Sequence, residues 1–296
     1  MASPAEKVHF LMLSISIDWL ALNFKEHTHE AERFMSMYAR VNGTQECTPR
    51  FGYGKAHMDG NGTVTMWNVD RGDMGYHVIF AGTALRNLFQ SEQTVPQSLL
   101  RAVVDAGGRI SRLDLAKDLT GQEVDLQAIY QQIEQGNYTG TARKYGRITS
   151  DGNGETIYIG SRTSERFIRI YNKSAEQELN NQHWFRFELE TKGEVARAIT
   201  HLCLGTDHWE AVFDNVVRGM VWMERPKSWR SFFDNGGIKI GLPKIEKQTD
   251  REAWIETQVT PAVLKHFAEN KSSVAVLRLI DALLFLLNKP DDSKLG

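Results

Sequence analysis

The sequence predicts an α+β fold, an antiparallel-rich sheet with flanking helices followed by a helical C-terminal part. Three observations carry this. Runs of period-two alternation recur as far as about residue 203, Gly-rich reversals such as Asp59-Gly60-Asn61-Gly62 separate them, and helical spacing takes over after Gly193. The expected division is therefore 1–203 and 204–296.

Taken in order, Ser14 to Phe24 is β-rich, and Glu26 to Val41 sets Phe34, Met37, Tyr38 and Val41 at helical spacing. Thr63 to Val69 and Tyr76 to Phe80 are strands of a meander, and Leu85 to Phe89 forms a short helix. Ser98 to Ala106 reads as a helix stopped by Gly107-Gly108, Arg109 to Lys117 as a strand, and Asp125 to Gln135 as a helix ending before Gly136. Arg143 to Thr149 and Glu155 to Gly160 make a hairpin, and Arg166 to Lys173 follows as a strand. Trp184 to Thr191 alternates, with Phe185, Phe187 and Leu189 on one face and Arg186, Glu188 and Glu190 on the other. Val195 to Leu202, Trp209 to Met223, Arg251 to Asn270 and Ser272 to Asn288 are helical.

Composition narrows the functional classes. The 296 residues carry a net charge of -2, so an anionic partner must be held by a local patch rather than by global basicity. Cys47 and Cys203 are too few for a disulfide framework and lack zinc spacing, which favours a reducing cytoplasm. Met1 to Lys7 lacks the order of a signal peptide, Asp18 interrupts Phe10 to Leu22, and Arg278 and Asp281 interrupt Val274 to Leu287, so no membrane segment is expected. The Gly-rich phosphate loops, His-Glu-x-x-His and Gly-x-Ser-x-Gly are absent from the sequence. His27-Thr28-His29 opens a charged segment and reads as surface.

Two constellations remain. Asp114 and Asp118 share one face of their strand with Arg112, Glu188 and Glu190 do the same on theirs, and Asp18 breaks an apolar strand. Such carboxylates either bind a hard divalent cation or are neutralised by Arg112 and Arg186 in structural ion pairs, and spacing alone leaves both open. In the second, Arg143, Lys144, Arg147, Arg162, Arg166, Arg169 and Lys173 outnumber Asp151, Glu155 and Glu165, with Tyr145, Tyr158, Phe167 and Tyr171 interleaved. This suits single-stranded nucleic acid, or equally a solvated basic hairpin. Tyr158 emerges opposite Ile157 and Ile159, next to Arg162, as a nucleophile or as a packing residue. Arg225 to Arg251 is a further basic stretch, suited to duplex readout or to an exposed loop of mixed charge.

Five motifs in this order resemble the replication initiation factor family of plasmid and phage rolling-circle initiators, which includes relaxases of conjugative elements. They are Ile17-Asp18-Trp19-Leu20, Arg112 to Asp118, Thr156 to Arg162, Arg169-Ile170-Tyr171-Asn172-Lys173 and Trp184 to Glu190. The resemblance spans roughly residues 15 to 200 and implies a rolling-circle nickase-like sheet without a His-hydrophobic-His metal motif, a triplet this sequence also lacks. It implies a divalent cation, Mg²⁺ or Mn²⁺, held by Asp114 and Glu188 with Asp18 as a further ligand. Tyr158 is the implied nucleophile, on the Tyr-x-Gly-Ser-Arg pattern, with Tyr171 its rival. Arg162, Arg169, Lys173, Arg147 and Lys144 are the expected DNA contacts, and single-stranded or extruded origin DNA is the expected partner. A host helicase and a homodimer are compatible with this reading. Conjugative transfer by the same chemistry, a DNA-binding regulator without nicking and a metal-dependent nuclease are the alternatives.

Overall fold

The computed structural model describes residues 12–25, 28–39, 43–91, 94–150, 154–179 and 183–233. Among them ten strands form one sheet: β1 (Met12–Phe24), β2 (Thr44–Glu46), β3 (Lys55–Asp59), β4 (Val64–Trp67), β5 (Tyr76–Ala81), β6 (Arg109–Thr120), β7 (Tyr145–Ser150), β8 (Gly154–Gly160), β9 (Arg166–Asn172) and β10 (Trp184–Lys192). Their spatial order is β2-β3-β4-β5-β1-β6-β10-β9-β8-β7, and every pairing is antiparallel. The long strands β1 and β6 lie side by side at the centre.

The helices are α1 (His29–Tyr38), α2 (Gly82–Ser91), α3 (Pro96–Asp105), α4 (Leu126–Glu134), the single turn α5 (Lys173–Glu176), α6 (Gly193–Leu204), α7 (Trp209–Met220) and the single turn α8 (Lys227–Arg230). Their starts follow local chemistry. Thr28 Oγ1 accepts from Ala31 N at 3.1 Å, Asp125 Oδ1 accepts from Ala128 N at 2.8 Å, and Pro96 opens α3 where its missing N–H costs nothing.

Alternation in the strands sends Leu20, Leu22, Phe80, Leu113, Leu115, Ile157, Ile168, Phe187 and Leu189 to one face. Phe34, Leu85, Leu99, Ile129, Ile199, Val212 and Trp229, from all the helices except α5, complete that core. The other face carries a small apolar cluster of Ala21, Ala56, Met66 and Ile79 at one end and charged residues at the other.

The chain divides into two compact units, Met1–Ile245 and Glu246–Gly296, and every described residue belongs to the first. The expected 203/204 boundary falls inside the first unit, where α7 and α8 pack into the same core as the sheet. Phe187 of β10 meets Phe213, Trp229 and Phe232 at ring-centroid distances of 5.4 to 5.5 Å. Lys117 and Asp214, both fully buried, form an ion pair across the same contact, and Lys117 Nζ donates to Phe232 O at 2.8 Å. The helices expected at Arg251 to Asn270 and Ser272 to Asn288 lie outside the described residues, as does the basic stretch beyond Phe233. Among the described residues no helix is long and apolar enough to cross a membrane.

Candidate active site

Sheet register assembles the charged face. Tyr158 of β8 lies opposite Arg169 of β9, Arg169 opposite Glu188 of β10, and Glu188 opposite Ala116 of β6. The adjacent row runs Thr156, Tyr171, Arg186 and Asp118, and the row on the other side runs Gly160, Phe167, Glu190, Asp114 and Trp19. Asp18 belongs to no row. The register between β1 and β6 slips between Ile17 and Trp19, so Asp18 is the extra residue of a bulge, a feature that re-aims a side chain.

Each carboxylate of this face meets a cation. Arg112 donates from Nε to Asp114 Oδ1 at 2.9 Å and from Nη2 to Glu190 Oε2 at 2.8 Å, while Lys192 Nζ reaches Glu190 Oε1 at 2.6 Å. Arg186 bridges two strands, donating from Nη1 to Asp18 Oδ1 and from Nε and Nη2 to the Asp118 carboxylate, all at 2.7 Å. Arg169 ion-pairs with Glu188, and Tyr171 donates its hydroxyl to Glu188 Oε1 at 2.5 Å. Spacing in the sequence suggested Arg186 as the neutraliser of Glu188. The structure gives that role to Arg169, because Arg186 stands one row away beside Asp118.

Burial shapes the electrostatics. Desolvation pushes Asp114 up to about 7 against the pull of Arg112, and raises Glu188 against Arg169. Burial and then the adjacent Glu188 push the Tyr171 phenol well above its usual range. Tyr158 stands differently. Its ring stacks on Phe167 at 5.8 Å with 18° between planes, and the exposed Arg162 guanidinium lies over both rings, 5.4 Å from Tyr158 and 5.2 Å from Phe167. Its hydroxyl has no hydrogen-bond partner among the described residues. Gly160 makes the return of Arg162 possible: it sits at φ 97, and a Cβ there would lie 3.0 Å from Arg166 O. Tyr158, Tyr171 and Arg169 line one cleft of about 320 Å³, with Asn172 and Glu176 at its side.

Most of the expected site residues therefore share one face. Lys173 lies there too, buried, ion-paired with Glu176 and 3.4 Å from the Tyr171 hydroxyl. Arg147 does not. It pairs in register with Ile157, so alternation turns it to the helical face, where it contacts Glu155 at 2.6 Å and lies over Tyr130 of α4. Lys144 is exposed just ahead of β7.

As for a cation, Asp114, Glu188 and Asp18 are all oxygen donors, the type Mg²⁺ and Mn²⁺ take. Glu188 Oε2 is buried without a hydrogen bond of good geometry. In donor type the residues fit such an ion. In the arrangement seen, guanidinium groups supply its charge, and among the described residues no three His, Cys, Asp or Glu side chains form a ligand group. Asp118 and Arg186 both belong to the charged constellation read from the sequence, but their pairing, and Trp19 as the ring beneath Arg112, whose Cζ lies 4.8 Å above it, carry no local signal.

A ten-stranded antiparallel sheet, helix-covered on one side and lined with tyrosines, arginines and carboxylates on the other, defines the class: this is the fold of a rolling-circle replication initiator. It is similar to the rolling circle replication initiator protein from Geobacillus stearothermophilus, with a TM-score of 0.65 and 18% identity over 78% of this chain and 99% of that one. The replication initiation factor model matches residues 108–277, more than half of the sequence, and the chain belongs to that family. It is also 33% identical over 129 residues to replication initiation proteins of Staphylococcus aureus, a match covering 40% of this chain and 34% of theirs. The match thus spans about a third of the length of those curated relatives.

Proposed function

We propose that the chain initiates rolling-circle replication by nicking one strand of origin DNA with Tyr158 as nucleophile. One observation carries the choice of residue. Of the two tyrosines in the cleft, Tyr171 is committed to a buried carboxylate, whereas Tyr158 lies beneath an exposed guanidinium with its hydroxyl unpartnered among the described residues.

Arg162 binds a phosphate of the single strand above the Tyr158 ring, and Arg169 and Lys173 join it as phosphate oxygens displace Glu188 and Glu176 as their partners. The Tyr158 oxygen attacks phosphorus, its proton passing to solvent. The bond from phosphorus to the 3′ oxygen breaks, and that oxygen takes a proton from water. The products are a 5′-phosphotyrosine and a free 3′-hydroxyl. The phosphodiester energy is kept in the new bond, so a later strand transfer can rejoin the ends. Asp114 and Glu188, with Asp18, would hold a divalent cation in exchange for their guanidinium partners, and such an ion when bound polarises the scissile phosphate.

Incubating a labelled, origin-derived single strand with the protein and Mn²⁺ tests this reading. A covalent adduct that disappears in Tyr158→Phe supports it. Free products that survive the substitution indicate a nuclease, and the absence of cleavage indicates a regulator.

A further inference from the structure

At the end of the sheet face remote from Tyr158, the turn Arg50-Phe51-Gly52-Tyr53 closes with Tyr53 N donating to Arg50 O at 3.1 Å. Both central residues are left-handed, Phe51 at φ 56 and Gly52 at φ 80. That is the pattern of a type I′ turn, whose first central position normally holds Asn, Asp or Gly. A bulky aromatic there is a backbone outlier, and the outlier serves to project a ring into solvent: Phe51 is 68% exposed.

The ring is not isolated. It stands edge-on to His77 at 5.4 Å, and Tyr53 lies nearly parallel to the same imidazole at 5.9 Å and 20°. Tyr53 is pinned by its hydroxyl, which donates to Met74 O at 3.2 Å. Burial holds His77 down to about 4, so its imidazole is uncharged at neutral pH. His77 pairs with Asn23 and Met66 and thus belongs to the face opposite the helices, which continues through Trp19 to Asp114, Glu190 and Phe167. The face carries a guanidinium-capped ring near each end of that row, Arg112 over Trp19 and Arg162 over Phe167.

We infer that the Phe51 turn, backed by Tyr53 and His77, is a stacking platform for bases of the unpaired DNA strand engaged at Tyr158. This rests on the reading of the chain as a handler of single-stranded DNA. β5 lies five strands from β8 in the sheet, about 24 Å at about 4.8 Å per strand, so one strand of DNA crossing the face engages both ends. Stacking on an aromatic ring tolerates any base, so the platform adds affinity rather than sequence preference.

The test titrates a fluorescein-labelled oligothymidine of about twenty nucleotides into wild type, Phe51→Asn and Phe51→Tyr at fixed salt, reading anisotropy. Asn suits the left-handed position, so Phe51→Asn keeps or improves folding, and a loss of binding is not a loss of structure. The expected result is binding about five- to a hundredfold weaker in Phe51→Asn, with wild-type affinity restored by the ring of Phe51→Tyr. Unchanged affinity in Phe51→Asn overturns the inference. So does a variant that binds normally but breaks up a wild-type dimer in sedimentation, which makes the turn a self-association surface. If Tyr158→Phe still forms the covalent adduct while Phe51→Asn weakens binding, the assigned nucleophile fails and the platform stands.

Discussion

Tyr171 donates its hydroxyl to Glu188 at 2.5 Å, a bond that sets it apart from Tyr158, the proposed nucleophile of the same cleft. The buried Glu188 has Tyr171 and Arg169 as its neighbours, so removing the phenol oxygen leaves a desolvated acceptor short of a donor. Tyr171→Phe should lower stability by about 1–3 kcal/mol, read by urea denaturation, while the protein still forms its covalent DNA adduct. A variant of unchanged stability that no longer forms the adduct would move the chemistry to Tyr171.

Lys117 and Asp214 tie the sheet to α7 where no water reaches. Burial pulls the Lys117 ammonium down from its usual range, and Asp214 opposes that shift. Lys117→Met strands a buried carboxylate and should cost about 3–5 kcal/mol, whereas replacing Asp214 with Leu as well should recover much of it. Denaturation midpoints of the two single variants and the double variant measure the recovery. A double variant no better than the sum of its singles contradicts the pairing.

His77 makes stability depend on pH. Burial lowers its folded value from 6.5 to about 4, so the unfolded chain binds the extra proton between those limits. Its contribution is intact above about 6.5 and is lost as pH falls toward 4. His77→Gln should flatten the stability profile in that window and leave the profile above pH 7 parallel to wild type. Equal slopes in wild type and variant between pH 4.5 and 6 would show that the imidazole is protonated in the fold.

Arg162 is the exposed cation over Tyr158 and Phe167, and its proposed partner is a phosphate. Arg162→Ala should weaken single-strand binding for every sequence alike. It should also reduce the slope of log K against log salt by about 0.7, the contribution of one phosphate contact. An unchanged slope removes Arg162 from the phosphate path.

Which of these features could be read from the sequence follows from their range. Period two is local, so β10 and its division into Phe185, Phe187 and Leu189 against Arg186, Glu188 and Glu190 emerge directly, as do the helices closed by Gly107 and Gly136. The five motifs likewise led to the family that the comparisons establish. Pairing between strands is not local. Arg186 meets Asp118 from 68 residues away and Asp18 from 168, and Lys117 finds Asp214 after 97, so these partners become visible only once register is fixed. Arg147 shows the same limit. The facing of a hairpin residue depends on register, and pairing with Ile157 puts it on the helical side. Asp18 was legible as an anomaly in an apolar strand, but the bulge that explains it needs β6 beside it.

Tyr158 and Tyr171 are told apart most directly by the peptide that would carry the DNA. Digesting the covalent adduct with nuclease and trypsin yields the 5′-phosphotyrosine on the peptide Ile148 to Arg162 if Tyr158 is the nucleophile, and on Ile170 to Lys173 if it is Tyr171. Mass spectrometry should find the modification on Ile148 to Arg162 alone. Its recovery on Ile170 to Lys173, or cleavage with neither peptide modified, would contradict the proposed mechanism.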